Sequence, residues 1–545
     1  MGKSATQFKK KGLVESFILK PAVCFFLLAA AGFISLMWIT GKWGIGLVAD
    51  SIGYINAAET FFRGGSFSDL PRSDGTIPYF TRHGPLLPLI IAGVCFLTQG
   101  DGSRAAQWVQ SFFYAANIGL AQFLTYQYTR SVRTALFSGF LVLMSLVMLE
   151  VHATALSEPV FLFFGLSGFY CLSVYFKNND KKRMLFSSVV LLAASVLSRY
   201  AGIAVGATVG ILFFVFSKGN FLKRLIFGGI MSLLICVPML IWVARNYSSS
   251  RYVGVPSVMY DPYFSTSFWE LGAFTSAWLF PVSSPAKLRM TALAIFSGLA
   301  SLEIFFIFCL ERKSRQSERQ RALELSFFPW ILLVFSVIHI AVHILSASLV
   351  DRNILDDRHL APVNISLILI LSMWTWRLWE ESRPWGRLRF LILAVILFFG
   401  VSYPMRYADW ARRVRLSGIG YASPQWMNSE LIRKINQLPE GVPIYSNGMD
   451  IVYWMTRRPV RPIPDKLDWH DKPDSAPVKL NPQILEQMLT DVTQKKAILA
   501  YFNTIYWRDY YPKVEQLQEH IPLERFESVS DGDLYRLAQQ DSHRA

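Results

Sequence analysis

The stretch Pro21–Thr40, PAVCFFLLAAAGFISLMWIT, decides the fold class. It carries no charge, and as a helix rising about 1.5 Å per residue it covers the ~30 Å hydrocarbon core of a bilayer. Working outward, further apolar runs recur at Ala105–Tyr126, Leu225–Val243, Ser326–Val350 and Phe390–Val401. A soluble core needs no runs as long as the longer of these. Only 17% of the 545 residues are charged, where a soluble domain carries about a quarter. The chain reads as an integral membrane protein.

The first run is not a cleavable signal. It follows Lys3, Lys9, Lys10, Lys11 and Lys20, and it is too long for a signal's apolar region. Cys24, Cys95, Cys171, Cys236 and Cys309 all fall in apolar segments without a CxxC pair. They read as small buried hydrophobes rather than a disulfide frame or a metal site. The net charge of +16 would suit nucleic acid, but the excess lies in short loops between apolar runs. That distribution excludes a nucleic-acid partner and sets topology instead.

Six basic clusters punctuate the runs: the N-terminus, Arg130 with Arg133, Lys177–Arg183, Lys218–Arg224, Arg312–Arg321 and Arg377–Arg389. The positive-inside rule places all six in the cytoplasm. Two apolar stretches separate each consecutive pair, giving spans near 20–42, 105–127, 134–149, 158–176, 184–198, 201–217, 225–243, 289–310, 325–349, 359–379 and 390–407. An odd number of crossings puts everything after Tyr407 outside. Pro85–Thr98 covers only ~21 Å as a helix and would invert every later loop if it crossed, so it reads as an interfacial or re-entrant helix. Residues 184–217 are short for two full spans. Their apex, Arg199-Tyr200, therefore falls below the outer surface, where a charged residue should be partnered and functional.

The expected fold is an all-α polytopic transmembrane bundle of about eleven helices with a small soluble α/β domain. Residues 1–19 form a cytoplasmic N-terminus, 20–407 the membrane domain with an outer loop over 43–104, and 408–545 the outer domain. In that last segment acids and bases nearly balance. Val442–Ser446, Ala497–Phe502 and Phe526–Val529 read as strands, with helices at Asp450–Met455 and Pro482–Thr490. The turn Tyr445-Ser446-Asn447-Gly448 lies at a strand end, where α/β folds place ligands, and equally suits a plain turn. The domain could cover the site or bind the acceptor.

This topology gathers polar residues on the outer face. The first outer connection begins Ala49-Asp50-Ser51-Ile52-Gly53-Tyr54 and continues through Arg72, Asp74, Arg82 and His83-Gly84-Pro85-Leu86. The second holds Glu150-Val151-His152 and Ser157-Glu158-Pro159; the hairpin apex adds Arg199-Tyr200. Arg245-Asn246-Tyr247 opens the fourth, and the fifth runs from Val350-Asp351-Arg352 to Asp356-Asp357-Arg358-His359. Asp50 and Tyr54 share a helical face. Glu158-Pro159 suits a helix start, which alone would account for Glu158. Any one of these residues reads as a loop or a cap. Several acids and arginines on one side of one bundle read as a site.

The Asp-x-x-x-Tyr-x-x-x-Ala after the first span, His-Gly-Pro-Leu-Leu-Pro-Leu, Leu-Ser-Glu-Pro-x-Phe-Leu, Arg-Asn-Tyr and Arg-His-Leu-Ala-Pro resemble the GT-C glycosyltransferases. The pattern is most similar to the branch of protein O-mannosyltransferases and lipid A aminoarabinose transferases, over roughly residues 20–410. Ser51 stands where protein O-mannosyltransferases usually carry a second acid, and Gly84-Pro85 where many relatives read Pro-Pro. The resemblance implies a multi-pass enzyme of the bacterial cytoplasmic (inner) membrane, with its C-terminal domain in the periplasm. Its donor would be a polyprenyl-phosphate sugar, and its acceptor a hydroxyl on a glycolipid, glycan or protein.

Such a transfer needs a base for the acceptor hydroxyl, in-line approach to the anomeric carbon and stabilisation of the leaving phosphate. It would invert the anomeric centre. Asp50 is the first choice of base and Glu158 the second, with Glu150 in support. Arg199, Arg245, Arg358 and, behind them, Arg82 suit the phosphate, and each also reads as a snorkelling interface arginine. Tyr54, His83, Glu150, His152, Tyr200, Asn246 and His359 complete the substrate contacts.

No cofactor is certain. His83, His152 and His359 could join an acid around a divalent cation, and His339 with His343, four apart, resemble half of a helical metal site. The ordinary reading of that last pair is a polar helix contact. No Gly-rich phosphate loop, nucleotide fingerprint or nucleophile elbow occurs, which fits a lipid-linked donor. Two other classes stay open: a transporter or flippase for lipid-linked saccharides, and a non-catalytic envelope assembly protein. A transporter would hold its charges near the midplane in repeated halves; here they lie mostly at outer ends and no repeat is seen.

Overall fold

A computed structural model describes residues 21–71, 76–177, 181–250, 264–314, 327–349, 356–381, 386–467 and 478–538. In chain order the helices are α1 (Pro21–Thr40), α2 (Ala49–Phe62), α3 (Leu86–Cys95), α4 (Gly102–Thr129), α5 (Val132–Met144), α6 (Leu146–Ala153), α7 (Glu158–Lys177) and α8 (Lys182–Ser198). A short 3-10 turn, Tyr200–Gly202, leads into α9 (Ile203–Phe216). Then come α10 (Phe221–Ser250), α11 (Phe264–Leu279), α12 (Ala286–Ser314), α13 (Phe327–Leu349), α14 (Asp357–Glu381) and α15 (Gly386–Ser417). The remainder alternates: α16 (Pro424–Met427), α17 (Glu430–Gln437), β1 (Ile444–Ser446), α18 (Met449–Thr456), β2 (Val460–Pro462), α19 (Pro482–Lys495), β3 (Ile498–Phe502), α20 (Val514–Gln518), β4 (Leu523–Val529) and β5 (Gly532–Leu537).

The chain divides into two compact units. One takes residues up to Ile45 and Thr81–Leu416; the other takes Gly46–Phe80 and the chain from Ser417. The expected boundary at 407 is displaced because α15 continues to Ser417. Hydropathy falls at its polar end, but the backbone hydrogen bonds of a helix do not require apolar side chains. The outer loop is also divided, since 46–80 belongs with the C-terminal unit.

The first unit makes the chain a multi-pass membrane protein. By length and composition, α1, α7, α10, α12, α13, α14 and α15 can cross a bilayer. The α5–α6 pair, bent by 57° at its break, makes an eighth if taken as one span. All eleven expected segments are helical, but the expected number of spans is not reached on these criteria. The helix α8 has 17 residues and α9 has 14. Hydropathy in α4 is diluted by Gln110, Ser111, Asn117, Gln122 and Thr125, all buried. Among them, Gln110 donates to Leu156 O at 2.6 Å and Asn117 to Pro159 O at 3.0 Å. Such bonds join helices where no water can satisfy the groups.

Small residues draw α7 and α8 together. A Cβ on Gly168 would lie 2.5 Å from Leu192, so only glycine admits this approach. Ser188 and Ser195 on α8 donate to Gly168 O and Phe161 O on α7, each at 3.0 Å. In this antiparallel pair the end of α8 meets the beginning of α7. That geometry positions the site.

The second unit carries a five-stranded sheet in the order β2-β1-β3-β5-β4. Strands β2, β1 and β3 run parallel, connected through α18 and α19; β5 and β4 are antiparallel additions. Tyr445, Met488, Val492, Leu499, Leu517 and Ile521 form its core. The three strands and two helices read from the sequence are present. Strand β2 escaped because Pro459 precedes it and Pro462 is its last residue, a pattern confined to edges and strand ends, and β5 because Gly and Asp open it. Within this unit Leu47 bridges Gly420, and Tyr453 on α18 donates to Asn56 on α2 at 3.0 Å.

Candidate active site

Glu158 begins α7 and Arg199 follows the last residue of α8, so the antiparallel hairpin sets them face to face. Their side chains form an ion pair. Glu158 is 1% exposed and the Arg199 side chain 15%, so neither charge would persist there alone. The helix dipole and Pro159 in the first turn further favour an acid at this position. Among the described residues Glu158 Oε2 has no hydrogen-bond partner. The sequence assigned the acid to catalysis and the arginine to phosphate; the structure directs them first at each other.

The next residue, Tyr200, donates to Thr81 O at 2.6 Å and receives Asn246 Nδ2 at 3.4 Å. Arg245 donates to Asn246 Oδ1 at 3.0 Å and lies over the Trp242 ring, whose indole N–H reaches His83 O at 3.1 Å. The hairpin apex, the end of α10 and the segment before α3 thus form one cluster holding His83, Tyr200, Arg245 and Asn246, with Arg82 exposed beside it in sequence. A Cβ on Gly84 would come within 2.3 Å of Leu197 O and 2.7 Å of the Ser198 backbone. This close approach explains Gly84 in the His-Gly-Pro stretch.

A third group comes from α13 and the start of α14. The His339 and His343 rings contact edge to face with centroids 4.5 Å apart, and His343 stands 4.9 Å from His359. The His339 Nε2 faces His359 O at 3.0 Å, and Phe161 of α7 flanks the His339 ring. Asp356 takes His359 Nδ1 at 2.7 Å and Arg358 Nε at 3.2 Å. Burial alone would raise the Asp356 carboxyl, but the hydrogen bond and charge of His359 and the Arg358 guanidinium hold it below its usual range. Arg199 and Arg358 both act electrostatically on His343, so the hairpin apex and the histidines share one neighbourhood.

Glu150 has a different set of neighbours. It lines a cavity of about 90 Å³ with Asp357, Asn364, Trp278, Tyr403 and Arg406. Trp278 donates to Asp357 at 3.0 Å, and Arg406 donates to Trp278 O and Ala277 O at 2.8 and 2.6 Å. Sequence reading passed over Arg406, although a lone arginine inside an expected span is itself a signal. Trp278 carried none.

Two expected residues sit differently. His152 is 0% exposed and packed into the bundle, its Nε2 against Asn117 at 3.1 Å and its Nδ1 against Met148 O. Both ring nitrogens face partners within the bundle. Asp50 and Tyr54 belong to the other unit, in the first turns of α2. There Asp50 is half-buried and Tyr54 is 4% exposed against Phe80. Arg72, Asp74, Asp351 and Arg352 lie outside the described residues. Among those described, no group of three or more His, Cys, Asp or Glu converges as metal ligands; His339 and His343 touch each other instead.

The comparisons with known proteins bear on this helical bundle and its small C-terminal sheet. Residues 82–242 match the family model described as dolichyl-phosphate-mannose-protein mannosyltransferase. ArnT from Cupriavidus metallidurans in the apo state is similar at 13% identity and a TM-score of 0.52, over 94% of this chain and 98% of that one. The same enzyme bound to undecaprenyl phosphate is similar at 12% identity and 0.53, over 94% and 99%. The apo oligosaccharyltransferase of Archaeoglobus fulgidus follows at 12% and 0.52, over 95% and 75%. No curated protein sequence matches. The matched family and these structures are glycosyltransferases, so the resemblance read from the sequence holds, and the chain carries their fold.

Proposed function

We propose that this protein moves a sugar from a polyprenyl-phosphate carrier to a hydroxyl acceptor on the outer face of a bacterial cytoplasmic membrane. The observation that supports this most is the buried Arg199–Glu158 pair, with Arg358 and three histidines gathered about it. It occurs in a bundle with the fold of an enzyme that binds undecaprenyl phosphate. In this reading all eleven segments cross, the N-terminus is cytoplasmic and the C-terminal unit periplasmic, as the basic loops require.

The reaction breaks the bond between the anomeric carbon and the phosphate oxygen and forms one to the acceptor oxygen, with inversion. Arg199 and Arg358, then Arg245 and Arg82, neutralise the charge developing on the phosphate. Glu158 is engaged with Arg199 and holds its guanidinium in place. The acceptor proton then goes to Asp50, an assignment that rests on its position in the sequence and the family resemblance. His83, Tyr200, Asn246 and His359 support the substrate, and the acceptor is a glycolipid, glycan or protein hydroxyl.

Purified protein in detergent or nanodiscs, given polyprenyl-phosphate sugars and candidate acceptors, should release polyprenyl phosphate. Asp50→Asn should reduce release by about a thousandfold or more, the scale of losing a general base together with its positioning. Release unchanged in Asp50→Asn removes Asp50 from the mechanism. A flippase would move the same lipids without cleaving them, so no release with any acceptor would favour that class.

A further inference from the structure

The cavity holding Glu150 is lined by Asp357, the residue between Asp356 and Arg358 of the histidine cluster, and by groups that the mechanism above leaves unused. It lies where the α5–α6 span breaks at Ser145, whose hydroxyl donates to Asn364 Oδ1 at 2.9 Å. Irregular backbone at membrane depth is tolerated where it lines a cavity, and broken helices mark binding sites there.

Its volume of about 90 Å³ takes roughly six to nine water molecules at 10–15 Å³ of probe space each. That is the room of one sugar ring, and too little for a lipid tail or a peptide. Its chemistry matches the same ligand. Glu150 and Asp357 offer carboxylate oxygens, which accept from hydroxyls. Arg406 offsets one of their charges while two of its N–H groups are committed to the carbonyls of Ala277 and Trp278. Trp278 and Tyr403 add aromatic surface, the usual partner for the apolar face of a ring. A predominantly apolar ligand would add nothing to the bonds that Trp278 makes to Asp357 and Trp410 to Glu150 and would leave their remaining acceptor positions unused, and a phosphate would be repelled by the acids.

We infer that this cavity, lined by Glu150, Asp357, Asn364, Tyr403, Arg406 and Trp278, is a subsite for a sugar ring of the lipid-linked substrate, held by its hydroxyls. The inference rests on the proposed transferase reading and assigns the sugar to a place apart from the phosphate. It predicts that sugar and phosphate recognition can be separated by mutation.

The test measures binding of two probes to the full-length protein in nanodiscs: bare undecaprenyl phosphate, and undecaprenyl phosphate carrying glucose, mannose or a pentose. Wild type should bind at least one glycosylated probe more tightly than the bare lipid. Glu150→Gln, which keeps volume and removes the charged acceptor, should cut that affinity about tenfold, the scale of one charge-assisted hydrogen bond. Ala277→Leu should do so by filling the cavity. Both variants should bind bare undecaprenyl phosphate within about twofold of wild type, which also reports that they are folded. Equal loss for both probes, loss for neither, or no preference of wild type for any glycosylated probe overturns the subsite. Failure of wild type to bind either probe overturns the transferase reading itself, a distinct result.

Discussion

In the membrane bundle and in the C-terminal unit, buried charges are handled in different ways. Asp491 in α19 accepts from Arg461 at 2.7 Å, Tyr445 at 2.8 Å and Lys495 at 2.9 Å, so both of its oxygens are used. Asp450 in α18 accepts Arg508 at 2.6 Å and Tyr421 at 2.9 Å through one oxygen. Burial pushes the Tyr421 phenol up and Asp450 pushes it further; Arg508 is raised by that same carboxylate against the effect of burial. These groups tie strands to helices. In the bundle, Glu158 meets Arg199 while its Oε2 has no hydrogen-bond partner among the described residues, and neither has His343 Nε2. Spare bonding capacity in an apolar interior is costly, and it is what a polar substrate would use. The contrast is sharpest between Asp491, whose oxygens are both used inside the fold, and Glu158, which keeps bonding capacity in reserve; Asp450 Oδ1, also without a partner among the described residues, falls between them.

Breaking the bundle pair should have the largest effect. Arg199→Met leaves Glu158 buried and uncompensated, at a cost of about 3–5 kcal/mol, visible as a lower thermal midpoint in detergent together with loss of transfer. Adding Glu158→Leu should restore most of the midpoint, because apolar replacement of a buried pair is often neutral, but none of the transfer. Recovery of transfer in the double variant would place this pair with the structural ones.

The matching experiment in the C-terminal unit should divide the other way. Asp491→Leu leaves Arg461 buried without its carboxylate and should cost about 2–4 kcal/mol. Asp491→Leu with Arg461→Met should recover both stability and transfer. A double variant that folds but fails to transfer would give Asp491 a role beyond structure.

A smaller effect is expected at Gly84. The Cβ of Gly84→Ala would press on the Leu197 and Ser198 backbone, with an overpacking cost of about 1–3 kcal/mol. Because the shift propagates to Arg199 and Tyr200, transfer should fall more than the thermal midpoint does. Equal activity in Gly84→Ala would show that the hairpin apex need not be held this closely.

The sequence by itself determined the membrane class, the positions of the eleven expected helical segments and three strands of the C-terminal sheet, but not α11, which falls in what read as an outer connection. Apolar runs and short-period patterns act locally, so they can be read without knowing what packs on what. It also put Glu158, Arg199, Arg358 and His359 on a short list, because charged residues next to apolar helices are rare and need a reason. Only the tertiary structure decided that Glu158 and Arg199 pair, that His152 faces partners within the bundle and that Arg406 and Trp278 join Glu150 around a cavity. It likewise decided that 46–80 folds with the C-terminal unit and that α4 conceals its amides inside the bundle. Each depends on which helix lies against which, as with the glycine and serine contacts that bring the end of α8 to the start of α7. Such contacts join residues far apart in the chain and leave no periodic trace in it.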